Sequence, residues 1–266
     1  MKKALLTLTG LFVLATSVPA LAHFQMVYTP ESALEKAETI DMKLVFTHPF
    51  EAGHTMDMGT PEAFFVVRKG KKKDLLNTLK PITWKSLSNS GKAYETSYKL
   101  RGMGDNVFCL IPSPYFEGEE DAYIQQITKA YVNTGGFPTD WDAEIGLPAE
   151  IVPLDKPYGL WTGNVFRGVV KGNGKPVPFA EIEVEYMNHK PNMKKNAFAK
   201  KAAVEAPQDC FVTMTIKANK DGEFAFGIPK AGWWGFCALG AGPANTYKGK
   251  ELSQDAVIWV QAHDMK

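Results

Sequence analysis

No stretch of the chain after its first two dozen residues carries a sustained helical apolar period. Short strand-like runs recur instead, many bounded by Gly, Pro or Asn, and this pattern confines the fold to the all-β class. The 23 Gly and 17 Pro residues are spread along the 266-residue chain, which argues against a helical bundle or coiled coil. Aromatic residues make up 12%, enough to build a packed core. Thr39–Thr47 is the clearest strand: Ile40, Met42, Leu44 and Phe46 alternate and predict one shared buried face.

Residues 1–22 read as an export signal. Lys2 and Lys3 precede the apolar run Ala4–Ala15, and Ala20-Leu21-Ala22 offers small residues at a cleavage site. The expected product is exported, with the bacterial periplasm as the expected compartment, and begins with His23. Cleavage removes two lysines and no acid, leaving 28 basic and 29 acidic residues. Such a balance gives no field to attract nucleic acid, so no nucleic-acid partner is expected.

The strand runs divide into two β-sandwich domains, residues 23–157 and 158–266, with Gly135–Tyr158 as a structured connection. His189–Pro207, rich in Lys, Asn and Ala, reads as a long exposed loop. In an oxidising compartment Cys210 and Cys237 are candidates to pair on neighbouring strands. Burial as small apolar side chains is the alternative, and the odd count of three, Cys109 included, leaves at least one thiol free.

Nucleophile-elbow, zinc-protease, dinucleotide and P-loop motifs are all missing. The acids Glu117, Glu119, Glu120 and Asp121 read as a solvated turn rather than a catalytic pair. These absences exclude the commonest hydrolase, dehydrogenase and nucleotide-binding signatures. Histidine is the remaining resource, and three of the five, His23, His48 and His54, fall within the first 32 residues of the mature chain. A terminal histidine offers two nitrogens to one ion, since an α-amine has a pKa near 8 and yields its proton readily. Thr47–Met58 adds His48, His54, Met56 and Met58 within twelve residues, on a loop punctuated by Pro49 and Gly53. Nitrogen-rich sites suit Ni(II) or Cu(II), while thioether ligands would favour Cu(I). Core packing of Met56 and Met58 is the competing reading, with His189 as a loop residue and His263 as frayed surface. Because amine and imidazole bind metal only when deprotonated, affinity is expected to fall below about pH 6–7.

The segments AHFQM, THPFEAGHTMDMG, AEIVPLDKPYGLWTGNVFRGVV, GIPKAGWWGF and YKGKELSQDAVIWV resemble, in this order, the exported nickel-binding proteins that accompany energy-coupling-factor-type nickel and cobalt transporters. That resemblance implies an accessory protein rather than an enzyme, one that binds Ni(II) or, second, Co(II) and passes the ion to a membrane importer. Copper, for which Met56 and Met58 would matter, is a separate alternative read from the residues. It places the mature terminal histidine, His23, at the metal. Phe24 stands where relatives carry a second histidine, leaving His48 and then His54 to supply imidazole. Gln125 and Gln126 occupy a segment where some relatives carry histidine, and amides are poor ligands. Residues 163–240 resemble a transthyretin-like or carboxypeptidase-regulatory-like sandwich, with turns at Gly-Lys-Pro-Val and Asp-Gly. A copper-dependent oxidative enzyme with a terminal histidine brace and a purely structural module complete the alternatives.

Overall fold

A computed structural model describes residues 23–265. The expected export signal lies outside these residues. Among the described residues strands account for 55% and no helix reaches seven residues, so the all-β expectation holds. No described helix is long and apolar enough to cross a membrane.

Three sheets build the protein. One runs in the order Phe24–Tyr28, Thr39–Thr47, Ser90–Lys99, Lys80–Lys85, Ala197–Ala202 and His189–Asn192. The largest has Ala122–Thr134 and Lys250–His263 side by side at its centre, flanked by Gly104–Ile111 and Ala63–Arg68 on one side and by Gly232–Ala238 and Glu181–Tyr186 on the other. The third joins Ala149–Pro153, Val165–Gly172 and Glu223–Gly227. Ile40, Met42, Leu44 and Phe46 do share one face, in a core with Phe64, Phe108 and Val132. Between Leu44 and Phe46, Val45 faces the other way, into a core with Phe24, Trp84 and Trp259. Apolar packing on both faces explains why the second half of this strand is continuously buried while its start alternates.

Hydrogen bonding crosses the division expected at residue 157. Ala122–Thr134 and Lys250–His263 pair in parallel from Tyr123↔Leu252 to Ala130↔Trp259, so one sheet draws strands from both halves. A single core likewise holds Phe65 and Tyr131 together with Phe166, Ile182 and Phe236. Ala149–Pro153, expected within a connection, is a strand of the third sheet. Asn173 and Gly174, both at positive φ, turn the chain between Val165–Gly172 and Lys175–Pro176 as a two-residue hairpin requires.

Three local expectations are corrected. His189–Pro207 is not a free loop: His189–Asn192 and Ala197–Ala202 form a hairpin that meets the first sheet through Ala197↔Lys85, with Phe198 buried between exposed lysines. His189 is buried, its Nδ1 2.8 Å from the Ala199 carbonyl oxygen. Cys210 and Cys237 are both free: Cys210 is exposed on a short 3-10 turn, and Cys237 is buried in Gly232–Ala238. His263 ends the last strand, with Nε2 3.2 Å from Glu31 Oε1, and is not frayed.

Candidate metal centre

Register brings the first two histidines together. Phe24–Tyr28 pairs antiparallel with Thr39–Thr47 from Phe24↔Thr47 to Tyr28↔Lys43. One step beyond Phe24 and Thr47, the same register sets His23 opposite His48. Their ring centroids are 4.6 Å apart at an interplanar angle of 62°. Phe46 borders His23 at 5.6 Å between centroids, and Tyr115 stands edge-on against Phe46.

After His48 the chain turns back on itself. Gly53 donates to the His48 carbonyl, and Ala52 adopts a left-handed conformation at φ 48°. Thr55–Met56 then returns alongside Phe46 and Thr47. Two distant groups hold this turn: the Phe50 N–H donates to Glu185 Oε2 at 3.2 Å, and the Leu87 N–H donates to the Ala52 carbonyl at 2.8 Å. His54 sits exposed on the turn, its Nδ1 3.2 Å from the Asn89 side-chain nitrogen.

The acidic run expected as a solvated turn places one of its acids, Glu117, beside this pair. Glu117 ends the short strand Tyr115–Glu117, and its Oε2 lies 3.2 Å from His23 Nε2, both side chains less than one-fifth exposed. A second addition is Gln126, buried in the central strand, whose amide contacts the backbone of His23 and Gln25.

Met56 and Met58 are placed differently from the histidines. Met56 is 1% exposed in the core with Phe64 and Phe108, which fits the packing reading. Met58 is also buried, and its Sδ lies 3.6 Å from Gln25 Nε2.

Burial sets the chemistry of the paired rings. His23 is lowered from 6.5 to about 4, first by loss of water and then by the charge of nearby His54. His48 is lowered to about 4 by burial and by His23 and His54, with Glu117 opposing. Both are thus neutral at pH 7, each with one ring nitrogen bearing a lone pair. Among the described residues, no three His, Cys, Asp or Glu side chains are already arranged to hold a metal ion.

The comparisons add a family and nothing about chemistry. No curated protein matches. The D0-D1 domain of intimin is 11% identical over 90% of this chain and all of that one, with a TM-score of 0.22. The Yersinia pseudotuberculosis adhesin InvE is 10% identical over 88% of this chain and 58% of that one, with a TM-score of 0.23. Scores this low carry no inference for this protein. Residues 20–242 match the family described as "Domain of unknown function (DUF4198)", and the chain belongs to that family.

Proposed function

We propose that the mature protein is an exported carrier of a transition metal, Ni(II) first and Co(II) second, which it passes to a membrane importer. The pairing of His23 with His48 carries this reading: two neutral imidazoles, 4.6 Å apart, at the residue expected to become the N-terminus. Side chains alone do not make a site here, and the missing donor is a backbone one. Signal removal frees the His23 α-amine, which reaches only the Nδ1 of its own ring to form a compact chelate. Glu117 faces Nε2, the nitrogen the chelate does not use. A carboxylate so placed holds the Nε2–H tautomer and leaves the Nδ1 lone pair for the ion, as outer partners of metal-bound histidine commonly do. His48 then adds a third nitrogen. His54, exposed on the same turn and close enough to lower the pKa of both rings, is the candidate fourth donor.

The donor set discriminates between metals. Met56 is packed in the core and Met58 is occupied by Gln25, so the soft donors that would select Cu(I) are not on offer. Amine and imidazole nitrogens suit Ni(II) and Cu(II), and availability decides between those two in a cell. Handing the ion to an importer rests on the exposed His54 side of the site and on the family resemblance in the sequence. No oxidative or hydrolytic step is needed for this role.

The test is a Ni(II) titration of the mature protein beginning at His23 against the same protein with one added N-terminal glycine. The extension moves the amine one residue, about 3.8 Å, from its imidazole. At least about tenfold weaker binding, roughly 1.4 kcal/mol, is expected of the extended form. Equal affinity would move the site away from His23, and no binding by either form would sink the proposal.

A further inference from the structure

A chain terminus is a poor place for a chelate, because a residue tethered on one side frays unless something ties it down. The ladder with Thr39–Thr47 registers from Phe24 onward, so His23 lies just beyond it. Among the described residues no strand pairs with the opposite edge of Phe24–Tyr28. A side chain takes that place. Gln126 Nε2 donates to the His23 carbonyl at 2.7 Å, and Gln126 Oε1 accepts from the Gln25 N–H at 2.7 Å. Residues 23 and 25 present their backbone groups to the same edge. One primary amide thus reproduces the donor and acceptor of a neighbouring strand, across about a hundred residues of sequence.

The amide is fixed the right way round by its surroundings. Nε2 lies 3.4 Å from Asp255 Oδ2 and 3.3 Å from Cys237 Sγ, both acceptors, while Oε1 meets the Gln25 N–H. Gln126 is 3% exposed, and Trp259 Nε1 donates to the Gln25 carbonyl at 2.9 Å to continue the restraint. A glutamate of the same size would still accept from Gln25 but would set a carboxylate against the His23 carbonyl and Asp255.

We infer that Gln126 is the positioning residue of the metal site: it clamps the backbone of the mature terminus and so fixes the direction of the His23 amine and ring. The inference rests on the metal reading above. It also explains how a residue that makes a poor ligand serves the site, since both ends of its amide are already occupied.

Two readouts separate the clamp from the metal. Metal-free mature protein is exposed to a broad-specificity aminopeptidase, and release of histidine is followed for wild type, Gln126→Ala and Gln126→Glu. Ni(II) affinity and the ligand-field absorption of the bound ion are then measured for the same three proteins, with thermal melts to show that each is folded. Expected results are faster trimming in both variants, about 10–100-fold weaker Ni(II) binding and an altered absorption band. Gln126→Glu, which preserves volume, carries the test should the alanine variant not fold. Unchanged trimming overturns the clamp. Faster trimming with unchanged affinity and spectrum overturns the positioning role. Failure of wild type itself to bind Ni(II) removes the metal site and with it this role, while trimming still reports whether the terminus is held.

Discussion

Two of the places where this protein keeps ionisable side chains away from water are furnished in opposite ways. At one, Lys129 donates to Glu150 at 2.8 Å with both side chains 1% exposed. The Glu150 oxygens also accept from the backbone N–H groups of Ile145, Gly146 and Leu147. Burial pulls the Lys129 pKa down, but Tyr131 and Glu150 outweigh it and hold it above the ordinary value. At the other place, His23 and His48 are neutral, and His23 has only one carboxylate beside its ring. A buried charge with its bonding capacity filled ties elements together. Buried bases that keep lone pairs, beside the expected mature terminus, are chemically available.

The contrast can be broken by mutation. Glu150→Ala strands a buried ammonium and three N–H groups, and should cost about 3–5 kcal/mol in urea unfolding while the folded protein binds Ni(II) as before. Weakened metal binding in that folded protein would mean that the two places are not separate in function. Met56→Ala should cost about 2–5 kcal/mol as a core cavity. Met56→Leu should be nearly neutral for both folding and metal affinity, and a loss of metal there would return Met56 to the ligand set.

Acid sharpens the comparison further. Both imidazoles are held near 4 in the folded protein against 6.5 in the unfolded chain, so the unfolded chain binds more protons between these values. Metal-free stability should therefore be full above about pH 6.5 and decline as pH falls toward 4, and His48→Gln should flatten that decline. A metal-free stability profile without a decline in this window would contradict the burial of the pair. The same depression shifts the limit set by the rings below the pH 6–7 expected from sequence. The α-amine, near 8, then governs how Ni(II) affinity falls with pH. Smallest is Glu117→Gln, which keeps an acceptor beside Nε2 but removes its charge. It should weaken Ni(II) binding by about tenfold without altering the melting temperature, and an unchanged affinity would detach Glu117 from the site.

Sequence made the strands legible where apolar residues alternate or turns are marked, as in Thr39–Thr47 and at Gly174-Lys175-Pro176-Val177. It also singled out His23 and His48, through the expected cleavage and their place in the chain. Their adjacency needed the register Phe24↔Thr47, which no local pattern specifies. Glu117 was hidden in a run of acids because only its position at the end of Tyr115–Glu117 turns it inward. Gln126 and the parallel pairing of Ala122–Thr134 with Lys250–His263 join residues more than a hundred positions apart, where periodicity has nothing to report. The lysines of His189–Pro207 masked a hairpin whose buried face rests on Phe198 and His189.

The central claim is that His23 and His48 hold one ion together, and a double-mutant cycle tests it most directly. Ni(II) affinity is measured for the mature protein, the glycine-extended form, His48→Ala and the combination. A shared ion predicts that each single change weakens binding and that the double change costs clearly less than their sum, since either one already breaks the chelate. Strict additivity, or full affinity in His48→Ala, would contradict the account.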